Sequence, residues 1–289
     1  MTDPTDAAEP AAFDALREPA DPDMLWVEAA GIRFHALAWG DRASAPTVLI
    51  HGVTSSARGW WRVGPALAAA GYRVIAPDLP GHGLTGSWTG HILFRDNAAD
   101  VAAFARAAFP ASAASDVRVV GHSWGGMTAA WLPGVGYAPR RLVLVDPPAV
   151  PLWLISKLLE NPDDRHYDDT ATAIDAVGRQ CPTWPYGDVA AKAESLTQFD
   201  EPAVVAILTG NGDWDGGLAA LADPAARDVP TRLIRGDPAA GGYIPDTAVP
   251  AFEARLGVEN VTTITGAPHS PHRTHPIETT RALLRALAG

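Results

Sequence analysis

The chain has 289 residues, of which 47% are hydrophobic, and its formal net charge is −11. This length can bury one sizeable core together with an insertion. The acidic excess argues against binding to nucleic acid or to an anionic membrane surface, because phosphate groups would be repelled. No apolar run approaches the ~20 residues that cross a bilayer, and residues 1–6 lack the basic and apolar regions of a signal peptide. The single cysteine, Cys181, excludes an intramolecular disulfide and a cysteine-based zinc site, so we expect a cytoplasmic protein.

Taken in chain order, the predicted elements describe an α/β fold. Residues 1–23 are rich in Pro, Ala, Asp and Glu, which predicts a disordered tail. A hairpin around Gly31 is followed by strands that alternate with helices, which predicts a mainly parallel sheet flanked by helices. The predicted strands are 24–29, 31–39, 47–50, 73–77, 117–121, 141–146, 231–235 and 260–264, and the predicted helices are 60–70, 92–109, 125–132, 246–256 and 276–288.

Residues 147–229 interrupt this alternation with helix-like segments and no convincing strand. A structureless loop of that length is improbable in a compact domain. The segment therefore predicts a helical cap, inserted after the sixth core strand into a core made of residues 24–146 and 230–289. Large rings in the cap either pack it onto the core or line an apolar, aromatic substrate pocket; the candidate lining residues are Trp153, Trp184, Tyr186 and Trp214.

The most specific motif is Gly121-His122-Ser123-Trp124-Gly125-Gly126, which lies between a predicted strand and a predicted helix. A serine between glycines at such a sharp turn has a strained backbone and projects its hydroxyl above the sheet. The flanking strand and helix favour a nucleophile over a simple turn. We therefore interpret Ser123 as a nucleophile, which requires a histidine base, an acid to orient the base, and donors for an oxyanion.

Candidates for the base and the acid lie on loops at the carboxyl ends of later strands, where open parallel sheets place their sites. Asp237 lies just beyond the end of the predicted strand 231–235, and His269 follows the strand 260–264. Asp146 ends the strand 141–146 and is the alternative acid. His272 and His275 lie near His269, but only His269 directly follows the strand-and-loop pattern.

Five ordered landmarks carry a resemblance: His51-Gly52, Asp78-Leu79-Pro80-Gly81-His82-Gly83, Gly121–Gly126, Gly236-Asp237 and Pro268-His269. Through them the chain resembles the α/β-hydrolase superfamily, in its serine-nucleophile, cap-containing branch. The resemblance implies a catalytic triad of Ser123, Asp237 and His269 in the family's chain order. It also implies an oxyanion hole from the backbone N–H groups of Val53 and Trp124, and no metal or organic cofactor. One departure bears on the acid, because the family usually has two residues between this Gly and Asp.

These residues predict a serine hydrolase that cleaves a small apolar carboxylic ester or lactone through an acyl-enzyme on Ser123. A carbon–carbon bond hydrolase of the same fold is the first alternative. A ligand-binding receptor or regulatory protein that retains the pocket without turnover is the second. Epoxide hydrolases and haloalkane dehalogenases of this fold fit less well, since they use an aspartate where this chain has Ser123. Nothing in the sequence indicates the oligomeric state.

Overall fold

A computed structural model describes residues 4–86, 88–160 and 164–288. The strands are β1 (Asp23–Ala29), β2 (Ile32–Trp39), β3 (Ala45–Ile50), β4 (Tyr72–Pro77), β5 (Arg118–His122), β6 (Arg141–Val145), β7 (Ala149–Val150), β8 (Trp214–Asp215), β9 (Thr231–Gly236) and β10 (Val261–Ile264). An eight-stranded sheet has the order β1-β2-β4-β3-β5-β6-β9-β10, and β7 and β8 form a separate antiparallel pair. β1 and β2 are antiparallel to each other and β2 is antiparallel to β4, whereas the other neighbours are parallel. The predicted hairpin and mainly parallel sheet are thus confirmed.

Helices cover both faces of the sheet, and short 3-10 turns connect several elements. The helices are α1 (Pro4–Arg17), α2 (Val63–Ala69), α3 (Phe94–Ala108), α4 (Trp124–Ala130), α5 (Leu152–Ser156), α6 (Thr170–Gln180), α7 (Tyr186–Leu196), α8 (Glu201–Gly210), α9 (Leu218–Leu221), α10 (Val249–Leu256), α11 (Pro271–Thr274) and α12 (Pro276–Leu287). No helix among the described ranges combines the length and apolar content that crossing a bilayer requires.

The central strands are apolar on both faces because each face is buried. Alternate residues of β6 belong to two different hydrophobic cores: Leu142 and Leu144 share one with residues of α3 and α4, whereas Val143 and Val145 share the other with residues of α2 and α12. This alternation follows from the two-residue period of a strand. The sheet is therefore a rigid layer whose strand ends hold their loops in fixed positions.

The predicted disordered tail is wrong for most of its length. Pro4–Arg17 form α1, which packs on α2 and α12. Ala12 and Leu16 are four residues apart, so they lie on one helix face, where both are buried. Glu9 accepts a hydrogen bond from Arg281 of α12 at 3.0 Å. The Ala-rich composition was therefore compatible with a helix that packs on the core. Residues 1–3 of the predicted tail lie outside the described ranges.

Residues 147–229 contain α5 to α9, as their helical pattern indicated, together with the short strands β7 and β8. β7 pairs with β8 near the two ends of the segment, in an element that the sequence did not predict. From α7, Ser195 hydrogen-bonds Ser56 at 2.8 Å, and Lys192 reaches the loop after β3. That this segment forms a cap over the site stays a prediction.

Candidate active site

Ser123 lies at the turn between β5 and α4 with backbone angles φ of 56° and ψ of −124°. A positive φ is strained for a residue with a side chain, and such strain persists where the surroundings enforce it. Two glycines make room for this turn. A Cβ atom on Gly121 would lie 2.2 Å from the carbonyl oxygen of Gly125, and one on Gly125 would lie 2.4 Å from the carbonyl oxygen of His51. The motif thus has the strand, turn and helix geometry that the sequence predicted.

Three side chains form a continuous hydrogen-bonded chain at this turn. The Ser123 hydroxyl donates to His269 Nε2 at 2.8 Å, and His269 Nδ1–H donates to Asp146 Oδ2 at 2.7 Å. Asp146 directly follows β6, is completely buried, and also has a positive φ of 42°. The backbone N–H groups of Gly236 and Tyr243 donate to its two carboxylate oxygens at 2.8 and 3.0 Å. These bonds fix the carboxylate against the imidazole.

Asp237, the acid that the sequence favoured, does not contact His269, and this prediction is corrected. The Asp237 carboxylate instead accepts backbone N–H groups of Ala239 and Gly266, both at 2.9 Å. These two donors lower the pKa of Asp237 below its ordinary value. Because β9 ends at Gly236, Asp237 begins the next 3-10 turn. The missing two-residue spacer between Gly and Asp was the sequence signal of this change, and the alternative acid, Asp146, takes the place beside His269.

Two neighbours hold His269: Tyr243, which belongs to no motif in the sequence, and His122, which lies in the Gly121–Gly126 motif. The Tyr243 ring stacks on the imidazole with ring centroids 4.2 Å apart and an interplanar angle of 23°. On the strand side, His122 Nε2–H donates to the carbonyl oxygen of His269 at 2.8 Å. Burial and the nearby His269 place the pKa of His122 well below its ordinary value, so that His122 stays neutral. Both the ring plane and the backbone of His269 are therefore constrained.

The loop after β3 approaches the nucleophile closely. A Cβ atom on Gly52 would lie 3.0 Å from Ser123 Cβ and 3.1 Å from His122 Nδ1, which is tighter than ordinary contact, so glycine suits this approach. His51 orders the loop, because its Nδ1–H donates to the Gly52 carbonyl at 2.8 Å and its Nε2 accepts from Leu79 N–H at 3.0 Å. Within the described residues, the backbone N–H groups of Val53 and Trp124 have no hydrogen-bond acceptor. Their role as oxyanion donors stays a prediction.

Thr54 continues this loop in an unfavourable conformation, with φ of 57°. Lys192 of α7 donates to the Thr54 carbonyl at 3.0 Å and to its hydroxyl at 2.8 Å. The third donor of the ammonium group is used by Asp164. A partly buried lysine from residues 147–229 thus secures the backbone next to Val53, and no sequence pattern indicated it.

A cavity of about 230 Å³ opens over Ser123 and His269. Its wall includes the aromatic rings of Trp184 and Tyr243 but also charged or polar side chains, so the apolar or aromatic pocket that the sequence predicted is in part polar. The polar lining residues are Thr54, Ser55, Asp164, Gln180, Cys181, Lys192 and Arg273. Burial raises the pKa of the Cys181 thiol, which disfavours a reactive thiolate there.

Of the four candidate lining rings, only Trp184 contributes to this cavity. Trp214 is buried and meets Phe94 edge-on with ring centroids 4.9 Å apart, so it is a packing element. Trp153 and Tyr186 are 62% and 72% exposed and lie outside the cavity wall. The Trp124 side chain is also buried, stacked on His82 with centroids 5.0 Å apart, which leaves only its backbone at the site.

No metal site accompanies these residues in the part of the chain that the structure describes. That part contains no group of three or more His, Cys, Asp or Glu side chains placed to hold a metal ion. The hydrogen bonds at Ser123 place a hydroxyl, an imidazole and a carboxylate in sequence, which is the arrangement that activates a serine for attack on a carbonyl.

Comparison with known proteins gives concordant results. The Alpha/beta hydrolase family profile matches residues 47–283. Lipase LipV of Mycobacterium tuberculosis is 30% identical over 247 residues, which cover 79% of this chain and 87% of the lipase. The structure of E-2-(acetamidomethylene)succinate hydrolase superposes with a TM-score of 0.78 at 19% identity, covering 92% of this chain and 99% of the other. An esterase from Rhodococcus sp. ECU1013 gives a TM-score of 0.67 at 21% identity, with coverages of 92% and 99%.

The family match extends from β3 to α12 and includes each residue of the Ser123, His269 and Asp146 chain. It agrees with the sheet order, with the strained turn at Ser123, and with the resemblance inferred from the motifs. The chain belongs to the alpha/beta hydrolase family.

Proposed function

We propose that the protein is a serine hydrolase that cleaves a small carboxylic ester or lactone through an acyl-enzyme on Ser123. One observation carries the proposal: in the hydrogen-bonded chain Ser123–His269–Asp146, the serine and the histidine line the cavity. An isolated serine hydroxyl is a weak nucleophile at neutral pH, and an adjacent, oriented imidazole is what activates it. The lipase and esterase relatives support the same class of reaction.

In the proposed mechanism, His269 Nε2 takes the proton of Ser123 Oγ as this oxygen attacks the substrate carbonyl. Asp146 holds the imidazole in the tautomer with Nδ1 protonated and stabilises the imidazolium that forms. The backbone N–H groups of Val53 and Trp124 receive the negative oxygen of the tetrahedral intermediate, and neither N–H has an acceptor among the described residues. His269 then gives its proton to the leaving oxygen, and water repeats the sequence on the acyl-enzyme.

The volume and the aromatic lining of the cavity indicate the size and character of the substrate. A volume of about 230 Å³ fits a small ester or lactone, and the faces of Trp184 and Tyr243 provide apolar contact for its carbon skeleton. Because charged and polar side chains also line the cavity, apolar contact is only part of substrate recognition.

The test is a panel of short p-nitrophenyl esters and aliphatic lactones, with wild type compared with Ser123→Ala. We expect turnover in wild type, loss of at least a thousandfold in kcat for the variant, and an acyl adduct on Ser123 by mass spectrometry after brief quenching. Saturable binding of the same compounds without release of alcohol would instead indicate a ligand-binding protein. Cleavage only of carbon–carbon bonded diketones would indicate the carbon–carbon hydrolase alternative.

A further inference from the structure

Arg273 brings a buried positive charge to the wall of the proposed catalytic cavity. It lies on α11, four residues after His269, and only 4% of its surface is exposed. Its guanidinium lies over the ring of Trp184, with Cζ 4.9 Å from the ring centroid. Gly59 leaves room for this group, because a Cβ atom there would lie 3.2 Å from Arg273 Nη2.

The hydrogen bonds of this guanidinium are few and long. Nη1 donates to the backbone carbonyl of Asp188 at 3.3 Å, and Nη2 donates to Ser55 Oγ at 3.4 Å. A guanidinium has five N–H donors, so at least half of this donor set has no protein acceptor among the residues described. A buried arginine is ordinarily matched with a carboxylate, because leaving a buried charge unpaired is costly. Arg273 makes no hydrogen bond to a carboxylate in the described structure.

The nearby carboxylates are occupied by other cations. Asp188 accepts from Arg62 and from the indole N–H of Trp61. Asp164, which also lines the cavity, accepts from Lys192 and from the Thr54 hydroxyl. Arg62 and Lys192 thus pair with the two carboxylates, and Arg273 is the third cation. Of these groups, Asp164, Lys192 and Arg273 line the cavity, so its wall has one positive charge in excess, within a chain whose formal net charge is −11.

We propose that Arg273 is the subsite for a free carboxylate on the substrate, so that the hydrolysed compound is a small ester that also carries a carboxylate. A guanidinium offers a planar pair of N–H donors that matches the two oxygens of a carboxylate. Stacking on Trp184 holds that plane, and burial strengthens the interaction with an anion. Lys192 cannot serve in this role because its three donors are already used. The inference rests on the proposed serine esterase function and specifies its substrate class.

The test compares matched esters with and without a free carboxylate. Mono-p-nitrophenyl glutarate is paired with p-nitrophenyl pentanoate, and 4-carboxyphenyl pentanoate is paired with its methyl ester, so the carboxylate lies on the acyl side or on the alcohol side. We expect wild type to favour the charged member of one pair by at least tenfold in kcat/KM. Arg273→Met should remove this preference while the neutral ester keeps being hydrolysed. The exposed Arg58, which pairs with Glu194, supplies the control Arg58→Met, which should leave the preference unchanged.

A binding measurement separates this inference from the proposed function. Glutarate should bind Ser123→Ala in calorimetry, and Ser123→Ala/Arg273→Met should lose this binding by at least tenfold. Arg273→Lys should keep part of it, because it retains the charge but not the planar fork. Ser123-dependent turnover with no preference in either pair overturns the carboxylate subsite alone. Absence of Ser123-dependent turnover with Arg273-dependent glutarate binding overturns the esterase function alone, and absence of glutarate binding overturns the subsite in either case.

Discussion

The ring of Tyr243 stacks on the imidazole of His269, with centroids 4.2 Å apart. The same residue donates its backbone N–H to Asp146 Oδ2 at 3.0 Å. Tyr243 thus contacts the base through its side chain and the acid through its main chain. It follows β9 in a loop with no catalytic motif, so only the folded structure brings it to these two residues.

Replacing this ring tests whether stacking holds His269 in place. We expect Tyr243→Ala to lower kcat by about threefold to tenfold, because aromatic stacking contributes ~0.5–1.5 kcal/mol beyond burial. Tyr243→Phe keeps the ring and the backbone N–H and should retain kcat within about twofold. Steady-state kinetics with one neutral ester measures both. An equal loss in the two variants would show that the phenol hydroxyl, rather than stacking, is the important group.

The acid of the proposed triad is tested by two matched substitutions. Asp146→Asn should lower kcat by several orders of magnitude, about 10⁴-fold by analogy with other serine triads, because an amide stabilises the wrong imidazole tautomer. Asp237→Asn should keep kcat within about twofold, since that carboxylate only caps a turn. Thermal melting of both variants controls for misfolding. A large loss in Asp237→Asn with little change in Asp146→Asn would return the acid to the end of β9.

The contact between Lys192 and Thr54 predicts an effect on catalysis from outside the sheet. Lys192→Met removes two hydrogen bonds that hold Thr54 at its positive φ, next to the proposed oxyanion donor Val53. We expect kcat for a neutral ester to fall about tenfold, which corresponds to ~1.4 kcal/mol of lost transition-state stabilisation, while KM changes little. A rise in KM with unchanged kcat would mean that Lys192 contacts substrate instead of positioning the loop.

The buried His82 predicts how stability depends on pH. Burial lowers its pKa to about 3 from the ordinary 6.5, and its ring is enclosed by Trp124 and His51. Between these two pKa values the unfolded chain binds the proton and the folded chain does not. Stability is therefore fully present above pH 6.5 and decreases as the pH falls toward 3. From pH 7 to pH 5 this residue alone should remove about 2 kcal/mol from the free energy of unfolding.

His82→Phe keeps an aromatic ring and removes the titration, so its free energy of unfolding should fall less steeply with decreasing pH than that of wild type. Urea denaturation at pH 7, 6 and 5 gives the comparison. Burial also lowers the pKa values of His51, His122 and His272, so some pH dependence should remain in the variant. Identical slopes for the two proteins would mean that His82 is protonated or exposed in solution.

Local patterns predicted the parts of the molecule that depend on neighbouring residues in sequence. Strand periodicity predicted the sheet, and the glycines around Ser123 predicted its strained turn. The acid was harder to assign, because Asp146 and Asp237 both follow parallel strands and only the path of the chain beyond β9 separates them. The rings of residues 147–229 were ambiguous because a local sequence does not show whether a ring packs in a core or lines a cavity. Trp184 lines the cavity and Trp214 is buried, and this difference depends on how distant elements pack.

The covalent chemistry of Ser123 is the central claim, and a small fluorophosphonate probe tests it most directly. Wild type should be labelled stoichiometrically, with the adduct located on Ser123 by peptide mass spectrometry, because the probe forms a stable analogue of the acyl-enzyme. His269→Ala should slow labelling by orders of magnitude, since the serine then lacks its base. Ser123→Ala should show no adduct. Labelling of another serine with Ser123 unmodified, or equal labelling rates in wild type and His269→Ala, would contradict the account.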